Sequence, residues 1–337
     1  MKIKTRTVVK NANEHGAIGE AADIIKNGGL VAFPTETVYG LGGNALDGAA
    51  CAKIYAAKGR PSDNPLIFHI ANVGQLAEIV SHVPESAQRL MDKFWPGPIT
   101  IIFPAKNVPR GTIDTIGVRM PKNPVAIALI TAADVPVAAP SANTSGRPSP
   151  TSAAHVLKDL QGKIDMILDG GRCEHGLEST VIDCTTNPPA ILRPGAVTKD
   201  MIEAEIGPVN IFTDVGANEA PKAPGMKYKH YAPKARLTVV VGESEKVKEK
   251  IKALAADCKA DKFGIMAVGS VELYGNFAVI NMGTNAQEVA ANLFDLLRRC
   301  DEIGLEEVFV ESVSEEGLGA AIMNRLKKAA SYNILEV

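Results

Sequence analysis

The 337-residue sequence has few aromatic residues, no excess of charge of one sign and no long apolar run. Aromatic residues make up 5% of the chain, and 36 lysines and arginines nearly balance 38 aspartates and glutamates. This composition argues against a nucleic-acid coat or histone-like protein, because non-specific binding of a polyanion needs surplus cations. No apolar stretch approaches the ~20 residues that span a bilayer, and the N-terminus lacks a secretory leader pattern. A soluble, cytoplasmic protein is therefore expected.

Several chemical signatures are also missing. The five cysteines are scattered and form no CxxC pair, which favours reduced thiols over a disulfide framework. The six histidines lack zinc-ligand spacing, and neither a P-loop nor a GxSxG elbow occurs. Residues 40–45 formally match a dinucleotide-binding fingerprint, but residues 34–39 separate them from the preceding predicted strand. A tight turn is therefore favoured for Gly42 and Gly43.

Strand and helix patterns alternate along the chain, which predicts an α/β protein. The hydrophobic fraction of 46% is sufficient for sizeable cores, and the length suggests two domains. The alternation breaks where three prolines, Pro221, Pro224 and Pro233, exclude one continuous helix. We predict an N-terminal domain over residues 1–212, a linker over 213–236 and a smaller Rossmann-like domain with a parallel sheet over 237–337.

The segment KGRPSDNPL, residues 58–66, places two cations at the predicted end of a helix. Cations there stabilise the helix dipole, which is a sufficient structural explanation. An arginine fork and a lysine point charge also suit a substrate that carries both phosphate and carboxylate. The segment alone leaves both interpretations open. Because Lys58 ends a helix, we expect its side chain to lie outside the core, so that Lys58→Ala affects turnover more than folding.

Polar residues recur at the ends of predicted strands, where open α/β sheets bind ligands. Capping or turn formation explains each of them singly, but as a set they predict a pocket for a polyanion: Thr115, Arg119, Ser141, Asn143, Ser149, Ser179 and Arg193. His69, within an apolar strand, is by default a core histidine. Glu36 and Glu178 are predicted to lie in loops, and the simplest expectation is that their carboxylates are exposed to solvent. This inventory favours positioning and charge neutralisation, as in transfer at phosphorus, over a covalent nucleophile.

Residues 221–236, PKAPGMKYKHYAPKAR, contain five cations, two tyrosines and no carboxylate. The simplest interpretation is a solvated cationic tether. Alternatively, this proline-stiffened segment folds over a bound nucleotide as a lid, or attracts tRNA phosphates. The pattern by itself permits all three.

Eight motifs follow one another along the chain: PTETVYGLG (34–42), KGRPSDNPL (58–66) with His69, WPGPIT (95–100), VRMP (118–121), APSAN (139–143), ESTVID (178–183), LRPG (192–195) and APGMKYKHYAPKA (223–235). Together they resemble the two-domain L-threonylcarbamoyladenylate synthases, whose catalytic domain is called YrdC-like. The likeness covers residues ~15–235. The region that follows is similar in length and pattern more than in motif.

The resemblance implies condensation of L-threonine, bicarbonate and ATP into threonylcarbamoyl-AMP and pyrophosphate, the first step of threonylcarbamoyladenosine formation in tRNA. It implies a twisted mixed sheet for the catalytic domain, a Rossmann-like second domain and a linker that covers the nucleotide. Mg²⁺ would enter on the ATP phosphates, with no prosthetic group and no dedicated protein metal site. Expected partners are a separate tRNA threonylcarbamoyl transferase, which receives the product, and tRNA through a weak contact; a membrane is not among them.

The resemblance also assigns roles to the residues at matching positions. Those expected to bind threonine, with Arg119 pairing with its carboxylate, are Thr37, His69, Arg119, Ala139 through its backbone, and Ser179. Those expected to bind ATP are Arg60, Asn64, Thr115, Ser141, Ser149, Arg193 and Tyr231. Those expected to form a catalytic corner are Lys58, Arg60, Ser141 and Asn143.

Two alternatives belong to other functional classes or substrates. The first is a non-catalytic RNA-binding module, which the net charge of -2 and the low aromatic content disfavour. The second is an enzyme of related fold that acts on another carbamoylated or phosphorylated substrate. Replacing threonine with other amino acids in a turnover assay separates the second alternative from a threonine-specific enzyme.

Overall fold

The computed structural model describes residues 6–106, 108–109, 114–212, 223–224, 230–269 and 272–337. The chain divides into two compact units. The first comprises Met1–Ser145, Ser149–Glu174 and Glu178–Tyr228, and the second comprises Gly146–Pro148, His175–Leu177 and Lys229–Val337. Much of the predicted linker, namely residues 213–222 and 225–229, lies outside the described residues.

The first unit is a mixed sheet flanked by helices. Its described strands are β1 (Val8–Asn11), β2 (Val31–Phe33), β3 (Gly40–Asn44), β4 (Ile67–His69), β5 (Ile99–Pro104), β6 (Thr115–Arg119), β7 (Val137–Ala138), β8 (Met166–Asp169), β9 (Thr180–Asp183), β10 (Ala190–Arg193) and β11 (Asn210–Ile211). Its described helices are α1 (Ala17–Lys26), α2 (Gly48–Lys58), α3 (Leu76–Ile79), α4 (Glu85–Phe94), α5 (Pro124–Ala133), α6 (Ala153–Leu160) and α7 (Lys199–Ile206). The strands are ordered β1-β8-β2-β3-β7-β4-β6-β5-β9-β10-β11. The expected mixed α/β sheet is thus confirmed.

Helix α2 shows how local sequence sets up the predicted site. Asp47 precedes the helix, and its carboxylate accepts the Ala49 N–H, which satisfies one of the free N–H groups of the first turn. The helix ends at Gly59, whose φ of 61° lies in the left-handed region that glycine adopts readily. Lys58 is therefore the last helical residue, and Arg60 begins the connection to β4.

The expected turn at Gly42 and Gly43 is wrong, because both residues lie in β3. This strand pairs antiparallel with β2 and with β7. A Cβ on Gly42 would come within 2.8 Å of both Phe33 and Val137, so the strand fits between its neighbours only without a side chain there. Close packing, rather than a special backbone angle, accounts for this glycine.

The central strands β4 and β6 separate a hydrophobic core from a polar face. Phe68 and Val118 are buried in a cluster that also contains Ile54 of α2. Successive side chains of a strand alternate between faces, so His69 and Arg119 project from the opposite side of the sheet. The two strands run parallel and place His69 beside Arg119 in register.

The second unit has an all-parallel sheet. Its described elements are β12 (Arg236–Val241), α8 (Ser244–Asp257), β13 (Phe263–Val268), β14 (Val279–Gly283), α9 (Ala286–Glu302), β15 (Glu307–Glu311), α10 (Leu318–Ala329) and β16 (Ile334–Glu336). The strands are ordered β14-β13-β15-β12-β16, and each described pairing is parallel. The expectation of a smaller parallel-sheet unit is confirmed. The sequence patterns did not predict β16, a short strand that is only partly buried.

All five cysteines are free thiols, and Cys258 is the one that is not buried. Burial raises the pKa of Cys51 to about 11 and the pKa of Cys173, Cys184 and Cys300 to about 12. The thiolate forms of these four side chains are therefore scarce near neutral pH.

Candidate active site

Arg119 is the centre of a buried polar cluster, here called the Arg119 cluster, formed with Glu36, Thr37 and Gly97. Its Nη1 donates to Thr37 Oγ1 at 2.9 Å, and its Nε donates to the Gly97 carbonyl oxygen at 3.2 Å. Arg119 and Thr37 are 4% and 1% exposed, so the guanidinium is held almost entirely out of solvent. The structure thus brings together two of the residues expected to bind threonine, next to His69 on the neighbouring strand.

Glu36 balances the charge of Arg119. Its Oε1 lies 2.6 Å from Arg119 Nη2, a buried ion-pair contact. Its Oε2 accepts the Lys122 N–H at 3.1 Å. Burial by itself raises the pKa of Glu36, but the charge of Arg119 and these contacts outweigh burial and lower the pKa below its ordinary value. Sequence reasoning gave Glu36 only a solvated role, although its position beside Thr37 was the available signal.

His69 is a neutral side chain without a partner on one ring nitrogen. Burial, followed by the nearby charge of Arg119, lowers its pKa to about 3. Its Nδ1 is buried and has no hydrogen-bond partner among the described residues. An unsatisfied buried nitrogen costs about 1–3 kcal/mol, so Nδ1 is a candidate contact for a polar group of the substrate.

The low pKa of His69 predicts acid destabilisation. In the unfolded chain His69 takes up a proton near pH 6.5, whereas in the folded chain it does so only near pH 3. The free energy of unfolding therefore decreases as the pH is lowered through this window. We expect His69→Gln, which does not titrate, to show a shallower pH dependence of the unfolding free energy between these limits. Urea denaturation at several pH values measures the difference. Parallel curves for the two proteins would contradict a neutral, buried His69.

Lys58, Ser141 and Asn143 form a second cluster, here called the Lys58 cluster. The Lys58 Nζ donates to the carbonyl oxygens of Ser141 and Asn143, the latter at 2.7 Å. The Ser141 hydroxyl donates to Asn143 Oδ1 at 2.6 Å. The expectation that Lys58 lies outside the core is wrong, because its side chain is only 2% exposed. The loop after β7 buries the ammonium by surrounding it with oxygens.

Arg60 and Asn64 are paired within the connection to β4. Arg60 Nη2 donates to Asn64 Oδ1 at 2.6 Å and to the Pro65 carbonyl oxygen at 3.0 Å. Thr115 opens β6, at the other end of the strand from Arg119, and lines a cavity of about 270 Å³ together with Tyr55. The family resemblance assigns Arg60, Asn64 and Thr115 to ATP binding, and this assignment stays a prediction.

Ser179 links threonine and ATP candidates. Its hydroxyl lies 2.8 Å from Thr100 Oγ1 and accepts from Arg193 Nη2 at 3.2 Å. Arg193 also donates to the Ser179 carbonyl oxygen and to that of Pro224. The preceding residue, Glu178, accepts a 2.6 Å hydrogen bond from the Ser149 hydroxyl. The sequence predicted no contact for Thr100 or Glu178, because each bond joins positions that are far apart in the chain.

Ala139 and Tyr231 are held by packing and backbone contacts. Ala139 donates its N–H to the Ile67 carbonyl oxygen at 2.9 Å. Tyr231 belongs to the second unit, where its ring centroid lies 5.1 Å from that of Phe294. The Arg325 guanidinium carbon lies 6.0 Å from the centroid of the Tyr231 ring. Tyr231 is 5% exposed as a whole residue and adopts a φ of 63°. Seven of the sixteen residues of the segment expected to form a lid, 221–222 and 225–229, lie outside the described residues, so that expectation stays a prediction.

Both halves of the chain match known families. Residues 23–195 match the family model described as telomere recombination, and residues 197–331 match the model described as the C-terminal domain of threonylcarbamoyl-AMP synthase. The threonylcarbamoyl-AMP synthase of Pyrococcus abyssi is 49% identical over 337 residues, with 98% of each chain covered. This chain belongs to the threonylcarbamoyl-AMP synthase family.

Other relatives agree with the family assignment. The threonylcarbamoyl-AMP synthase of Bacillus subtilis is 46% identical over 327 residues, with 94% of each chain covered. The crystal structure of P. abyssi Sua5 complexed with L-threonine matches this structure with a TM-score of 0.92, at 47% identity and 99% coverage of each chain. The family resemblance carried by the motifs is thus confirmed.

The described residues contain neither a membrane-spanning helix nor a cluster of metal-ligating side chains. Within the ranges given above, no helix is long and apolar enough to cross a membrane. In the same ranges, no group of three or more histidine, cysteine, aspartate or glutamate side chains is placed to hold a metal ion. Around Lys58 the described polar groups include an amide, a hydroxyl and carbonyl oxygens, and around Arg119 they include the Thr37 hydroxyl, the Glu36 carboxylate and the neutral His69 ring. The two cations suit anionic substrates.

Proposed function

We infer that this chain condenses L-threonine, bicarbonate and ATP into threonylcarbamoyl-AMP and pyrophosphate, the first step of threonylcarbamoyladenosine formation in tRNA. The observation that carries this function is the match of both units, over nearly the full length, to proteins named threonylcarbamoyl-AMP synthase. The buried cations of the first unit support it, because the three substrates present a carboxylate, a carbonate and a triphosphate.

The reaction has two steps whose atoms balance. The neutral amine of threonine and bicarbonate form a carbamate and release water. A carbamate oxygen then attacks the α-phosphorus of ATP, and the bond to the pyrophosphate leaving group breaks. No covalent enzyme intermediate is required, so the protein contributes by positioning the reactants and by neutralising their charges.

The clusters divide this work. Arg119 would pair with the threonine carboxylate, beside Thr37 and the neutral ring of His69. The Lys58 cluster would orient the amide and hydroxyl of Asn143 and Ser141 toward the reacting groups. ATP would be bound by the remaining predicted residues, which are Arg60, Asn64, Thr115, Ser149, Arg193 and Tyr231, and Ala139 and Ser179 would complete the threonine site.

The proposal also covers the cofactor, the partners and the cellular location of the protein. Mg²⁺ would be held by the ATP phosphates, whose oxygens it prefers, and would neutralise charge on the departing pyrophosphate. The product is a mixed anhydride, so a separate tRNA threonylcarbamoyl transferase would consume it, with tRNA making at most a weak direct contact with this chain. A cytoplasmic location fits the five free thiols, which are typical of a reducing compartment.

Pyrophosphate release from ATP and bicarbonate, measured with and without L-threonine, tests the function. We expect release to depend on threonine and mass spectrometry to detect the carbamoyl-adenylate. Serine and alanine serve as matched controls for the amino-acid substrate. Release that is independent of threonine, or release without the adenylate, would show that the site serves a different substrate.

A further inference from the structure

The ion pair between Glu36 and Arg119 lies in the first unit between two structural elements. Glu36 is in the loop after β2, and Arg119 is the last residue of β6. We propose that Glu36 is a positioning residue for threonine: it fixes the Arg119 guanidinium so that its remaining donors face the substrate carboxylate. This inference rests on the proposed function and adds a residue to it.

These contacts fix the orientation of the Arg119 guanidinium but leave some of its N–H donors unused. Two of its five N–H donors are used in the hydrogen bonds to Gly97 and Thr37. The Glu36 carboxylate lies 2.6 Å from Nη2 and occupies one donor of that nitrogen. Donors therefore remain on both terminal nitrogens, and these are the donors that bind a carboxylate in a forked pair.

Glu36 is itself fixed in place. The Lys122 N–H donates to its second oxygen, which ties the carboxylate to the segment that follows β6. The side chain is 3% exposed, so its charge is poorly screened by water and acts strongly on its neighbour. Two anchors on one carboxylate restrict its rotation and, through the ion pair, that of the guanidinium.

A neighbouring observation distinguishes this pair from a purely structural salt bridge. His69 Nδ1 is buried without a hydrogen-bond partner among the described residues, and His69 is in register with Arg119. The pair thus lies beside a buried ring nitrogen to which a polar group of the substrate would bind. A structural ion pair in a closed core would have satisfied polar neighbours.

Glu36→Gln provides the test, because the amide keeps the size of the side chain but has one acceptor oxygen and no charge. Either the contact with Arg119 or the contact with Lys122 is then lost. We expect the KM for threonine to rise about tenfold or more, with the KM for ATP unchanged and kcat within about threefold. Glu205→Gln is the matched control, since it removes a partly exposed ion pair, with Arg89, in the same unit.

A double-variant cycle shows whether Glu36 acts through Arg119. In an Arg119→Lys background, Glu36→Gln should raise the threonine KM by less than twofold, because the fork that it orients is already absent. An unchanged or lower threonine KM in the single variant would overturn the inference, as would an equal rise in the KM for ATP. Additive effects in the cycle would also overturn it.

Direct binding keeps this inference separate from the proposed function. Calorimetric titration of threonine into the wild-type protein and into Glu36→Gln needs no turnover. If the wild-type protein binds threonine but forms no carbamoyl-adenylate, the proposed reaction fails while the binding ratio still decides the role of Glu36. If the wild-type protein does not bind threonine, both proposals fail.

Discussion

Lys58→Ala is expected to lower the kcat of threonine-dependent pyrophosphate release by about 10²-fold or more. The ammonium holds the backbone oxygens of Ser141 and Asn143, so its removal frees the loop that carries both side chains. Those buried oxygens lose their donor, which costs about 1–3 kcal/mol of stability. The loss of activity should therefore be accompanied by a measurable loss of stability, contrary to what the sequence alone suggested.

Lys53→Ala is the matched control for this prediction. Lys53 lies on the same helix, is exposed, and donates to a single backbone oxygen, that of Gly28. It should retain full turnover and lose little stability. Steady-state pyrophosphate release and urea denaturation of both variants compare the two lysines. Lys58→Ala with activity within a few-fold of wild type would remove Lys58 from the catalytic assignment.

Arg119→Met is expected to destabilise the protein by about 3–5 kcal/mol and to abolish threonine binding. The substitution leaves the Glu36 carboxylate buried without its counter-charge, in surroundings where an unpaired charge is poorly solvated. The stability loss should be smaller at acidic pH, because protonation of Glu36 removes the uncompensated charge.

The double variant Arg119→Met/Glu36→Gln supplies the control for the stability effect. Neutralising Glu36 should restore a large part of the stability but none of the threonine binding. Urea denaturation and calorimetric titration measure the two effects separately. Additive losses of stability in the double variant would mean that Glu36 and Arg119 do not compensate each other.

The alternation of strands and helices was predictable because each element carries its own periodicity and turn signals. Strand β3 was not, because its sequence, GLGGN, has a turn-like composition. Gly42 is explained by Phe33 and Val137, which crowd the strand from the two neighbouring strands. A local pattern cannot report this crowding, and the error at β3 has that single cause.

The site was predictable in its residue types more than in its contacts. Motifs pointed to Lys58, Arg119 and Ser141, but the burial of Lys58 depends on oxygens supplied more than 80 residues later in the chain. The ion pair of Glu36 with Arg119 spans a similar separation. Charge compensation at this distance is set by sheet topology, so only the folded chain reveals it.

The buried thiols give each unit its own chemical reporter of opening. With pKa values of about 11 to 12, Cys51, Cys173, Cys184 and Cys300 resist alkylation while they stay buried. The first three lie in the first unit and Cys300 lies in the second. Mass-resolved iodoacetamide labelling in increasing denaturant would therefore record whether the two units open together or one at a time, without any engineered label.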